Sequence, residues 1–78
     1  MNAVTISLEN MQLTFEFELE HDGRWIAEIP EVPGVIVYGD SKEAARRAAA
    51  ALALRVIADR IEHEEQSTAS FTITFADS

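Results

Sequence analysis

Residues 13–20 read Leu-Thr-Phe-Glu-Phe-Glu-Leu-Glu, and Asp22-Gly23 follows at once. Leu13, Phe15, Phe17 and Leu19 fall on one side of a period-two pattern, and Thr14, Glu16, Glu18 and Glu20 on the other. That alternation specifies a strand with one buried and one wet face. Asp-Gly is a favoured pair for a two-residue type I′ hairpin, whose central residues both need positive φ. The return strand is Arg24 to Ile29, with Trp25, Ala27 and Ile29 on one face. Trp25 is therefore expected to be at least half buried, near the 15–19 strand and a covering helix.

Working outward, Pro30 ends the return strand because proline cannot donate to a ladder. Glu31-Val32-Pro33-Gly34 reads as a turn, with proline at the first central position and glycine supplying positive φ at the second. Val35 to Tyr38 makes a short third strand, and all three glycines, Gly23, Gly34 and Gly39, are assigned to turns. Ser41 then reads as the N-cap of a helix, with Glu43 in a first turn that favours negative charge. The helix is placed from Lys42 to about Glu64, in a stretch free of Gly and Pro. On a helical wheel Ala45, Ala49, Leu52 and Val56 form one stripe, and Ala50, Leu54, Ile57 and Ile61 a second. The second stripe is either wrapped by the chain's own terminal segments or an interface. Phe71, Ile73 and Phe75 alternate with Thr72 and Thr74 in a last strand. Val4, Ile6 and Leu8 alternate too, in either an extra strand or an arm that pairs with a neighbour.

The pattern predicts one α+β domain over residues 1–78, in the order β-β-β-α-β. A mostly antiparallel sheet of three to four strands carries one long helix on one face. The bounds are 1–10 for the extra strand or arm, 13–38 for the three-stranded sheet, 41–65 for the helix and 70–76 for the last strand. Seventy-eight residues bury only a modest core, which favours association.

The net charge is −8, and nearly all of it sits in residues 1–40, which hold eight acids against Arg24. Such a domain repels nucleic acid and attracts a basic protein. There are no cysteines, so disulfide scaffolds and thiolate metal sites are excluded. No transmembrane span or signal peptide is apparent, and a cytoplasmic protein without a cofactor or metal is expected.

Little in the chain suggests catalysis. There is no nucleophile elbow and no glycine-rich phosphate loop. Asp22 of His21-Asp22 is explained by its turn. His63 lies among Glu62, Glu64 and Glu65 at the helix end, where adjacent side chains diverge. Glu16, Glu18 and Glu20 project from one strand face at a spacing of about 7 Å. They read first as a solvated face, second as a docking surface and only third as acid–base groups.

The ordered series Asp22-Gly23, Trp25, Ala27, Ile29-Pro30-Glu31-Val32-Pro33-Gly34-Val35, Gly39-Asp40-Ser41, Glu43, Ala45 and Ala49 closely resembles the HicB-like antitoxin family. The resemblance covers roughly residues 15–57. It departs at Ala44, Ala48 and Val35, where family members often carry Glu, Asn and Cys. It implies the same fold, a three-stranded sheet with a helix and a further strand, often described as partial ribonuclease-H-like. It also implies neutralisation of HicA, a small basic toxin that cleaves messenger RNA. Many members add a C-terminal DNA-binding segment, and direct DNA binding is not expected of these residues.

The expected function is thus a non-catalytic, antitoxin-type binding module that meets its partner through Glu16, Glu18, Glu20 and Glu28. A homodimer or higher even-numbered assembly is expected through Leu54, Ile57, Ile61, Val4, Ile6 and Leu8. The alternatives are an orphan homo-oligomer of the same fold, a carboxylate-dependent hydrolase, and a double-stranded-RNA binder that the charge opposes.

Overall fold

A computed structural model describes residues 10–63 and 72–78. Four strands and one helix follow in the order β1 (Asn10–Leu19), β2 (Trp25–Glu28), β3 (Ile36–Gly39), α1 (Lys42–His63) and β4 (Thr72–Asp77). The sheet order is β3-β2-β1-β4. The β1/β2 and β2/β3 pairs are antiparallel, whereas β4 joins β1 in parallel, with Leu13 opposite Phe75. The expected α+β arrangement is present, as a mixed sheet with a single long helix. Val4, Ile6 and Leu8 lie outside the described residues.

The hairpin between β1 and β2 differs from expectation. Gly23 has φ +90°, but no non-glycine residue among the described residues has positive φ, so Asp22 does not enter the left-handed region. The Gly23 amide donates to the Glu20 carbonyl (3.0 Å), and the Glu20 amide donates to Arg24 across a three-residue loop (2.8 Å). A turn over 20–23 with glycine in its left-handed position gives this longer hairpin, and it uses the same Asp-Gly pair. Asp22 instead accepts from the Arg24 amide through Oδ1 and from Arg24 Nε through Oδ2, both at 3.0 Å.

Two consecutive turns join β2 to β3. The Val32 amide donates to the Ile29 carbonyl, and the Val35 amide donates to Val32, with Pro33 and Gly34 (φ +91°) at the centre of the second turn. This is the turn chemistry expected of that dipeptide. Ile29, Val32 and Val35 point inward and are among the largest fully buried side chains. The loop therefore closes one end of the core.

Ser41 caps α1, its Oγ accepting from the Ala44 amide at 3.0 Å. The helix packs on the face that carries Leu13, Phe15, Ala27 and Ile29. Ala45, Ala49, Ala53 and Ile57 are the buried residues of the helix. Two separate stripes were expected. The helix in fact turns one broad face inward, with Ala50, Leu52, Val56 and Ile61 half-buried at its flanks. Spacing by four drifts slowly around the helix, so one i, i+4 row draws on both proposed stripes. Ile57, at 2% exposure, belongs to the chain's own core, and Leu54, at 44%, does not.

Small residues set the closeness of helix and sheet. Gly39 has no positive φ, so a turn does not explain it. A Cβ at this position would lie 2.5 Å from the Ala45 amide nitrogen and 2.8 Å from its Cα. Glycine is needed at the end of β3 because the start of α1 crosses there. Trp25 is half-buried beside Leu19 and packs on the core, as its alternation predicts.

Candidate functional site

The strand register sorts every side chain of the sheet onto one of two faces. In one cross-strand row Glu16 stands opposite Glu28, and Glu28 opposite Ile36. In the next, Glu18 stands opposite Ile26, and Ile26 opposite Tyr38. These six residues share the face away from the helix. Among the described residues no element packs on it. Glu16, Glu18 and Glu28 are exposed, and so are Ile36 (57%) and Tyr38 (51%). The result is an apolar strip of Ile26, Ile36 and Tyr38 beside a column of carboxylates.

Of the residues proposed from sequence, Glu16, Glu18 and Glu28 therefore come together. Glu20 stands apart, half-buried at the mouth of the hairpin. Ile36 and Tyr38 were not singled out, because a short apolar strand reads as core on pattern alone. Their exposure follows from the fold placing β3 at the edge of a sheet that is covered on one side. The Arg24 guanidinium lies 4.4 Å from the Tyr38 ring centre, which fixes a cation over the aromatic face.

Three carboxylates have other tasks. Register places Thr14 opposite Pro30, beyond the last β1/β2 ladder pair. There the Thr14 amide donates to Glu31 Oε1 (2.9 Å) and the Thr14 hydroxyl to Oε2 (2.7 Å). Local desolvation works to raise the pKa of the exposed Glu31, but the two bonds from Thr14 outweigh it and the net shift is downward. The Arg24 amide and guanidinium hold the Asp22 carboxyl below its ordinary value. Asp77, at the end of β4, forms a two-pronged ion pair with Arg46 of α1, which lowers its pKa.

The helix-side flank of β1 has the opposite character. Phe75, Phe15 and Phe17 stack in a row, with centroids 5.4 and 5.8 Å apart. Arg46 sits over Phe15 and Phe17, and Lys42 over Phe17 and Trp25. The bases of the first helical turns thus cover aromatic rings, while the acids of β1 and β2 face solvent.

Two further clusters bear on chemistry. Asp59, Glu62 and His63 bring one ligand atom each within 4.8 Å of one another. Asp59 was missed from sequence, although i, i+3 and i+4 spacing places all three on one helical face. His63 Nδ1 lies 2.8 Å from the Asp59 carbonyl oxygen, and all three side chains are exposed. This is the arrangement of a solvated helix end with a histidine near its last carbonyls. At the hairpin, Glu18, Leu19, Glu20, His21 and Asp22 line a depression open to solvent. Asp22 is tied to Arg24 there and does not pair with His21. The arrangement best suits binding through a broad, open face. No helix of the described residues is long and apolar enough to cross a membrane. No family model, curated protein or solved structure matches the chain.

Proposed function

We propose that this domain is a non-catalytic protein-binding module of the antitoxin type. It acts in the cytoplasm, and its open sheet face holds a small, basic, HicA-like toxin that cleaves messenger RNA. The observation that carries the reading is the row in which Glu16 and Glu28 stand directly opposite each other on that face. Like charges in register weaken a sheet. A fold that keeps them beside exposed Ile36 and Tyr38 breaks two local rules at one place, and functional surfaces are where such breaks are expected. An apolar strip with a charged border is also the usual anatomy of a protein interface. A basic partner gains on-rate and selectivity from the carboxylates and contact area from the strip.

The sequence resemblance to HicB-like antitoxins names the partner class, and the acidity of residues 1–40 supports it. The test is growth rescue by co-expression with a small, basic HicA-like toxin. Wild-type protein should restore growth, and a Glu16→Lys/Glu18→Lys/Glu28→Lys variant that is equally folded and abundant should not. Equal rescue by both would remove the open face from the account. Absence of any rescue or binding would remove the antitoxin reading.

A further inference from the structure

The edge strand β3 carries a second message, independent of the toxin reading. The stretch Val32-Pro33-Gly34-Val35-Ile36-Val37-Tyr38-Gly39 has no charged residue in a chain of net charge −8. β3 is the outermost strand on its side of the described sheet. An edge strand presents backbone donors and acceptors to any extended chain, and proteins usually blunt such edges with lysine, proline or a bulge. Ile36–Gly39 contains no lysine or proline, and its register with β2 runs without a bulge. It also carries two of the four large hydrophobic side chains that are strongly exposed among the described residues, Ile36 and Tyr38.

We infer that β3 pairs antiparallel with β3 of a second copy of this chain, about a two-fold axis at Val37. Charge argues for this occupant. Two copies of so acidic a protein repel wherever their carboxylates meet. A contact centred on β3 brings uncharged strands together and leaves the Glu16, Glu18 and Glu28 column one strand or more away. Register argues for the axis. Side-chain period is two, so only an even offset keeps the open faces of both subunits on one side. With the axis at Val37, Ile36 stands opposite Tyr38 of the partner subunit, and Val37 opposite Val37 of the partner subunit. Aromatic against β-branched is a favourable cross-strand pair. The two apolar strips then merge into one, bordered on each side by carboxylates, on an eight-stranded sheet with closed two-fold symmetry. This contact differs from the helix stripe expected from sequence, since Ile57 is already buried in the chain's own core.

Analytical ultracentrifugation of the full chain, without any partner protein, tests the inference. Wild type should sediment as a dimer at tens of micromolar. Ile36→Glu/Tyr38→Glu places like charges opposite each other twice across the axis and should sediment as a monomer. Ile36→Lys/Tyr38→Glu places opposite charges in the same positions and should restore the dimer. Circular dichroism confirms that each variant is folded, which is expected because both side chains are exposed. A monomeric wild type would overturn the inference, as would a dimer that survives the paired glutamates. Failure of the paired opposite charges to restore association would overturn the Val37 register. A wild type that rescues growth yet sediments as a monomer would overturn this inference alone and leave the toxin reading intact.

Discussion

The two faces of this sheet are built from the same strands, and neighbouring residues on β1 have opposite fates. Leu13 and Phe15 are buried beneath the helix, while Glu16 and Glu18 stand in solvent. The inner face is filled by small helical residues and closed by Ile29, Val32 and Val35. The outer face keeps like charges in register and leaves Ile36 and Tyr38 uncovered. The contrast separates two kinds of residue in a very small protein. Changes to inner-face residues should be read in stability, and changes to outer-face residues in association.

The largest loss should come from Leu13→Ala. Leu13 is fully buried at the centre of the core, and truncation there costs about 2–5 kcal/mol. Denaturant unfolding checks it, and a cost like that of a surface substitution would mean the core is elsewhere. Next is Gly39→Ala. Its methyl group would meet the backbone of Ala45, which cannot rotate away, so a cost of about 1–3 kcal/mol is expected. A neutral result would show that α1 does not seat against the end of β3.

Acid should act more gently. Asp22, Glu31 and Asp77 all have pKa values below their ordinary ones when folded. Their contribution is therefore present above the unfolded values of 4.5 for Glu31 and 3.8 for the two aspartates. It is lost as pH falls through the lower folded values. Thermal unfolding followed from neutral pH downward should show a decline in that acid range only. Glu31→Gln should flatten part of it, and an unchanged acid profile in that variant would mean the Thr14 tether contributes nothing. The smallest effect has the opposite sign. Glu28→Lys replaces a like-charge pair with an opposite-charge pair across from Glu16, and should stabilise the fold by about 0.2–1 kcal/mol. A destabilised Glu28→Lys would place that residue in the core's service and blur the two faces together.

Local features were legible in sequence because their causes are local. Period two over 13–20 located β1, Ser41 announced the start of α1, and Pro33-Gly34 marked its turn. Features that depend on distant neighbours were not. The alternation of Ile73 and Phe75 indicates a strand but carries no information about its partner, and β4 pairs in parallel with β1. Asp22-Gly23 is compatible with two hairpin lengths, and only the pairing of Glu20 with Arg24 selects the longer one. Gly39 looked like another turn glycine because the close approach of Ala45 arises only after the helix is packed. The open face was half visible. Its glutamates follow from alternation on β1 and β2, but the exposure of Ile36 and Tyr38 follows from β3 lying at an edge of a sheet with one covered side.

The division of labour proposed for the sheet is that the covered face holds the fold and the open face binds. Titration calorimetry of the proposed partner class, a small basic HicA-like toxin, against wild type and against Glu16→Lys/Glu18→Lys/Glu28→Lys tests it most directly, with the thermal midpoint of each recorded on the same samples. The triple variant, which still has like charges opposite each other at positions 16 and 28, should keep its midpoint and lose its affinity for the toxin. Unchanged affinity in a folded triple variant would contradict it.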